Sequence, residues 1–319
     1  MERRLIAAIR ELTPAQRARI ADAAAARGFT ARFFDSEADA LAEAAEAEIF
    51  FGDSPAMAAR APKLRWLCTP SAGANQYPPG AFLSPEAVLT NSSGAYGVTI
   101  AEHIVMVTLE LMRRQGDYAD IVARRDWTRN LPVTAIRGCR CTLLGAGDIG
   151  REAAKRLRAF GPARIDAVSR SGRDPEGAFD SITTLSGLDA LLPGTQLLIL
   201  SLPATAETAK LMDERRLSML PEGAIVVNVG RGSTLDQAAL EGMLRSGRLR
   251  AALDVFEQEP IPRDASLWDC PNLIITPHVA GNMTLPYTVE RIVALFLENF
   301  ERYCAEERMM RVVDLKRGS

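Results

Sequence analysis

The chain has 319 residues, 47% of them hydrophobic and 24% charged, which is the make-up of a folded globular protein long enough for two domains rather than of a disordered or fibrous one. With 38 basic and 40 acidic side chains its formal net charge is -2, so it carries no electrostatic footprint for nucleic acid or an anionic membrane, and small molecules are the favoured partners. Five cysteines without a C-x-x-C pair or a histidine cluster argue against a metal site or a disulfide framework; no signal-like segment or run of about 18 apolar residues is visible, so a cytoplasmic location is expected.

In chain order, the first hundred residues alternate short apolar runs with alanine-rich helical stretches, the pattern of a parallel sheet covered by helices. Strands are predicted near 5–9, 30–34, 49–51, 66–69 and 88–90. The first helix, 14–27, opens with Thr13 as N-cap and Pro14 at its first position and closes at Gly28. Residues 100–112 are apolar on more than one face and predict a helix buried between layers. A polar, arginine-rich arm over 113–130 follows and contains Trp127.

From Arg137-Gly138 a second series begins, with apolar runs at 141–144, 165–168, 197–200, 225–229, 251–255 and 273–275. Six strands suit a doubly wound sheet. A helix over 288–306 and the segment Val312-Val313-Asp314 close the chain, and the pattern alone does not assign them to a domain.

Gly145-Ala146-Gly147-Asp148-Ile149-Gly150 matches G-x-G-x-x-G between a strand and a helical stretch, where glycines permit a tight turn and let backbone N–H groups approach a pyrophosphate. About 20 residues on, an acidic residue would take the ribose 2′-hydroxyl of NAD(H). Here Asp166 lies inside the strand, and the strand ends in Ser169-Arg170-Ser171. Arg170 suits a 2′-phosphate, so NADP(H) is expected over NAD(H).

The chain has two histidines, His103 and His278, and imidazole is the side chain that titrates unperturbed near neutrality. His103 sits in the apolar helix, where packing or a local hydrogen bond explains it better than proton transfer. His278 follows the apolar run 273–275 in Pro277-His278-Val279-Ala280-Gly281, at a strand end where ligand-contacting groups collect. Two earlier runs end in Asn228-Val229-Gly230-Arg231-Gly232 and in Asp254-Val255-Phe256-Glu257-Gln258-Glu259-Pro260. Three strand ends thus offer an arginine, carboxylates and an imidazole to one crevice.

Together with Ser71-Ala72-Gly73-Ala74, Ala101-Glu102-His103, Leu202-Pro203-Ala204-Thr205 and Val312-Val313-Asp314-Leu315, these motifs resemble the D-isomer-specific 2-hydroxyacid dehydrogenase family over nearly the whole chain. The resemblance implies an α/β architecture of two domains, a flavodoxin-like substrate domain from both chain ends (1–98 and 286–319) and a Rossmann-type dinucleotide-binding domain (99–285), with a cleft and a homodimer to which the Trp127 arm contributes.

It implies Arg231, Glu259 and His278 as catalytic residues, the glutamate just before the proline being selected over Glu257. Ser71, Ala72, Gly73 and Ala74 are expected to bind substrate with Arg231. The cofactor is expected to meet Gly145, Gly147, Asp148, Ile149, Gly150, Ser169, Arg170 and Ser171, then Leu202, Pro203, Val229 and Gly230, and finally Asp254 at the carboxamide, His278 and Gly281. Tyr77 and Tyr96 fall near the expected substrate loops, where packing is an equally good account of an aromatic residue.

The reaction so implied is hydride transfer between NADP(H) and a 2-keto acid, of glyoxylate or hydroxypyruvate type or bulkier, with reduction favoured. A dinucleotide-sensing, corepressor-like binding protein is the alternative that shares every cofactor feature, and formate- or phosphite-type dehydrogenation would need other substrate-loop residues. The side chain of the keto acid is left to the loops 51–54, 71–78 and 91–97.

Overall fold

The computed structural model describes residues 3–315. In chain order the main elements are β1 (Arg3–Ala8), α1 (Pro14–Ala26), β2 (Phe29–Phe33), α2 (Glu37–Leu41), β3 (Ile49–Gly52), α3 (Pro55–Arg60), β4 (Trp66–Cys68) and β5 (Val88–Thr90), then α4 (Gly97–Arg113), α5 (Gln115–Ala123), β6 (Arg140–Leu144), α6 (Asp148–Arg158), β7 (Arg164–Val168) and β8 (Ser181–Thr183). They continue with α7 (Leu188–Leu191), β9 (Leu197–Leu200), α8 (Glu214–Met219), β10 (Ile225–Asn228), α9 (Gln237–Arg245), β11 (Arg250–Leu253), β12 (Leu273–Ile275) and α10 (Pro286–Cys304). They form two compact units, one of Met1–Tyr96 with Asn282–Ser319 and one of Gly97–Gly281.

The first unit holds a five-stranded parallel sheet in the order β2-β1-β3-β4-β5, the flavodoxin-like arrangement. The N-cap foreseen at Thr13 forms, and Gln16 extends it to a capping box: the Thr13 hydroxyl accepts from Gln16 N–H at 3.3 Å while the Gln16 side chain accepts from Thr13 N–H at 3.0 Å. The tail belongs to this unit because α10 lays aromatic side chains on the sheet. Phe296 stacks on Phe51 at 4.0 Å between centroids and on Trp66 at 5.1 Å, and Phe300 meets Phe29 edge-on at 5.4 Å. Val312 then bridges antiparallel to Thr90, and Val313 N–H donates to Leu89 at 2.9 Å.

The second unit holds a seven-stranded parallel sheet, β12-β11-β10-β9-β6-β7-β8, whose order reverses between β6 and β9. This is the Rossmann-type topology, with its switch point beside the glycine loop. Two elements depart from the sequence expectation. The edge strand β8 adds a seventh member to the six foreseen; it is three half-buried residues, Ser181-Ile182-Thr183, too short and too polar to register as an apolar run. Within the stretch read as an arm, residues 115–123 form the helix α5, which buries only Ile121 and so lacks the apolar stripe that advertises a helix. Helix α4 buries one face against α6, β10 and β11, while Glu102 and Met106 on its other side are exposed, so it is less enclosed than its apolar sequence suggests.

Candidate active site

Each strand of the second sheet delivers its C-terminal end to the same edge, since all seven run parallel. At the end of β6 the chain turns through Gly145 with φ +113°, a conformation closed to side chains, and a Cβ there would meet Ser201 Oγ at 2.6 Å. A Cβ on Gly150 would lie 2.1 Å from the Gly145 carbonyl oxygen, so this glycine lets α6 close on the strand. Between them Gly147 is the N-cap of α6 and has nothing within 4 Å of a Cβ position. The N-terminus of α6 is thus open beside Gly147, as close approach of a pyrophosphate requires, and the loop fits a dinucleotide.

Asp148 points its carboxylate at Gly97, at the start of α4, where a Cβ would come within 2.4 Å of Oδ2. Ile149 is half-buried behind it. In the middle of β7, Asp166 is buried and committed, bonded by Arg164 Nε at 2.6 Å and Ser181 Oγ at 2.7 Å. Ser169 and Ser171 turn the loop by accepting from Gly172 and Arg173 N–H. Arg170 and Arg173 are exposed, and neither pairs with an acid among the described residues.

The ends of β9, β10 and β11 approach one another closely. A Cβ on Gly230 would lie 2.7 Å from the Leu202 carbonyl oxygen, and one on Gly232 would lie 1.9 Å from the Phe256 carbonyl carbon. Arg231, between them, is set down at the junction of three strand ends. Pro203 beside Leu202 is exposed, whereas Val229 is buried.

Asn228, wholly buried, clamps the turn: its amide donates to the Arg231 carbonyl at 3.1 Å and its oxygen accepts Gly230 N–H at 3.0 Å. Thr234 Oγ1 donates to the same carbonyl at 2.7 Å. Burial pushes the Arg231 guanidinium below its usual pKa, and the negative charge of Glu259 opposes that shift; Arg231 Nη1 donates to the Gly230 carbonyl at 2.7 Å.

Glu259 Oε1 accepts Phe256 N–H at 2.8 Å, and its Oε2 lies 2.7 Å from His278 Nδ1. Glu257 faces elsewhere, toward Lys210 at 3.6 Å and Gln237 N–H at 3.2 Å. His278 itself is exposed and sits at φ +55°, a conformation histidine tolerates better than most residues.

Asp254, 3% exposed, holds the loop that carries His278. It accepts Thr276 Oγ1 at 2.6 Å, Val279 N–H at 2.9 Å and Ala280 N–H at 3.0 Å. Any carboxamide contact at Asp254 would share these oxygens. His103 Nε2 lies 3.4 Å from Thr276 Oγ1, and since the single threonine proton goes to Asp254, the imidazole N–H is the donor there. Asn228, Thr276 and Thr234 were not singled out from sequence as site residues. Their signal is weak: small polar residues beside strand ends read equally well as turn formers.

In the first unit, the loop after β4 is fastened at several points. Asn91 Nδ2 donates to the Ala72 carbonyl at 2.8 Å, Ser92 N–H donates to the Ser71 carbonyl at 2.9 Å, and Ser71 Oγ donates to Asp53. The amide N–H groups of Ala72, Gly73 and Ala74 have no hydrogen-bond acceptor among the described residues. Tyr77 and Tyr96 are buried and structural, their hydroxyls donating to Asp53 and to the Pro70 carbonyl at 2.8 Å each. Burial is the main reason that both phenols are pushed well above their ordinary pKa.

Among the described residues no group of three or more His, Cys, Asp or Glu side chains could hold a metal ion, and no helix is long and apolar enough to cross a membrane.

Comparison with known proteins fits this geometry. A solved structure of a D-isomer specific 2-hydroxyacid dehydrogenase family protein from Aeromonas salmonicida subsp. salmonicida matches 99% of this chain and 100% of its own, with a TM-score of 0.86 and 32% identity. A D-isomer specific 2-hydroxyacid dehydrogenase from Xanthobacter autotrophicus Py2, solved with NADPH and MES, matches over 100% of both chains with a TM-score of 0.78 and 28% identity.

The curated glyoxylate/hydroxypyruvate reductase A of Salmonella paratyphi B is 37% identical over 187 residues, 58% of this chain; the match spans 59% of that relative's length. The model of the D-isomer specific 2-hydroxyacid dehydrogenase NAD binding domain covers residues 105–280, from α4 to the loop after His278. Sequence and structure together show that this chain belongs to the D-isomer specific 2-hydroxyacid dehydrogenase family.

Proposed function

We propose that the protein reduces 2-keto acids to D-2-hydroxy acids with NADPH as the preferred cofactor. The observation that carries the reading is the Glu259–His278 contact at 2.7 Å, at the same sheet edge as the glycine loop and within a unit where Arg231 feels the charge of Glu259. A bound dihydronicotinamide supplies the hydride; the chain supplies charge and a proton.

As the keto oxygen gains negative charge, Arg231 stabilises it, its half-buried guanidinium acting where water screens less than in bulk. His278 gives the proton from Nε2, the ring nitrogen opposite the one held by Glu259. The carboxylate of Glu259, 2.7 Å from Nδ1, fixes the ring tautomer and its orientation. The free amides of Ala72, Gly73 and Ala74 offer three donors to the substrate carboxylate. Gly145 to Gly150, with Ser169, Arg170 and Ser171, take the dinucleotide, the arginine meeting a 2′-phosphate that the committed Asp166 does not repel. The NADPH bound to the Xanthobacter relative and the reductase name of the Salmonella relative support the same reading.

The test follows NADPH oxidation at 340 nm with glyoxylate and hydroxypyruvate, alongside NADH. Turnover of either acid with NADPH favoured supports the proposal. Tight cofactor binding without turnover of any 2-keto acid overturns it and points to a dinucleotide-sensing role.

A further inference from the structure

We infer that Asp53 makes the enzyme reject 2-keto acids that carry a second negative charge and favour those whose side chain ends in a hydrogen-bond donor. The inference rests on the reading that the loop after β4 receives the substrate carboxylate.

Asp53 directly follows β3, the strand paired with β4 in the sheet, so its side chain leaves the same edge as the loop. Both ends of the loop fasten on this one carboxylate. Ser71 Oγ donates to Oδ2 at 2.9 Å; Tyr77 Oη donates to Oδ1 at 2.8 Å; Gln76 Nε2 donates to Oδ1 at 2.8 Å and to Oδ2 at 3.0 Å.

All these donors are neutral. Among the described residues no lysine, arginine or histidine pairs with Asp53, and the residue is exposed. Its charge is therefore shared by dipoles but not cancelled. Between the two fastened ends lie the three free amides of Ala72, Gly73 and Ala74, which attract an anion.

A loop that returns to one carboxylate after five or six residues keeps its middle inside the screening length of about 8 Å at physiological salt. A keto acid seated on the amides thus extends its side chain under an uncompensated negative charge. A hydroxyl there gains an acceptor; a second carboxylate meets a like charge, a penalty of about tenfold or more in kcat/KM at such range.

The experiment compares hydroxypyruvate, 2-oxobutyrate and oxaloacetate, which differ at the end of one short side chain, using the full chain and NADPH. The native enzyme is expected to favour the first two over oxaloacetate by about tenfold or more. Asp53→Asn, with Asp53→Ser as a second replacement should the first fold poorly, is expected to raise oxaloacetate relative to 2-oxobutyrate by about tenfold. Gln76→Ala and Tyr77→Phe loosen the loop yet keep the charge, so they should change all three substrates alike.

In the native enzyme, raising ionic strength from about 0.02 M to about 0.5 M should narrow the preference, because an exposed charge is screened. An oxaloacetate to 2-oxobutyrate ratio that neither salt nor Asp53 replacement moves overturns the inference. So does native turnover of oxaloacetate equal to that of 2-oxobutyrate. Failure to reduce any of the three is a separate result, which overturns the underlying keto-acid reading together with the inference.

Discussion

Glu259 Oε2 lies 2.7 Å from His278 Nδ1, while its other oxygen is held by Phe256 N–H at 2.8 Å. The carboxylate is thereby fixed to the exit of β11 and in turn fixes a ring at the exit of β12. Such a contact leaves Nε2 as the one ring nitrogen available for proton transfer.

Two replacements should separate the proton donor from its orienter. His278→Ala is expected to lower kcat by about 10²- to 10⁴-fold with NADPH binding intact. Glu259→Gln keeps a hydrogen-bond acceptor but removes the charge, so it should cost less than loss of the imidazole. Steady-state kinetics with fluorescence titration of NADPH check both; full activity in His278→Ala would remove imidazole from the mechanism.

Arg170 is exposed and has no acidic partner among the described residues, so none of these competes for its charge. Arg170→Ser should raise the KM for NADPH by about tenfold or more, the worth of a charge-assisted hydrogen bond, and leave NADH little changed. A variant with an unaltered ratio of the two cofactors would show that the 2′-phosphate binds elsewhere, with Arg173 the next residue to replace.

Asp254 holds the N–H groups of Val279 and Ala280, the two residues that directly follow His278. Asp254→Asn places an amide donor where backbone donors point, so the loop loses an anchor. The expected outcome is a fall in kcat of about 10- to 100-fold and a loss of about 1–3 kcal/mol in stability, read by kinetics and urea melts. Native-like kcat in this variant would show that the His278 loop is held by other contacts.

Burial keeps the His103 imidazole below its ordinary pKa of 6.5, against the opposing charges of Asp254 and Glu110. A base with a lowered folded pKa takes up its proton first in the unfolded chain. Its contribution to stability is thus complete above the ordinary imidazole range and is lost as pH falls through it, levelling below the folded value. Melting temperatures between about pH 8 and pH 5 should fall less steeply for His103→Gln than for the native chain. Equal slopes would mean that His103 titrates as it does in the unfolded state.

Much of the fold was legible because apolar runs and glycines act locally. The strand β6, its glycine turn and α6 follow from a few adjacent residues, since the demand for φ +113° at Gly145 and for the missing Cβ at Gly150 is written into one short motif. The aromatic residues of α10 likewise carry the means of covering a sheet. Their destination in the first unit was not legible, because the partners Phe51 and Trp66 lie more than two hundred residues away.

Polar assignments divide along the same line. By itself the sequence determined which residue types stand at each strand end, because that depends only on periodicity and turn chemistry. The family resemblance already selected Glu259 over Glu257; only the tertiary structure decided that Glu257 turns to Lys210, that Asp166 is spent on Arg164, and that Asp53 gathers both ends of the Ser71 loop without a counter-charge. The physical reason is direction: a carboxylate one or two residues along a turn points to a different neighbour, and hydrogen bonding acts over about 3 Å, a distance that sequence spacing does not fix.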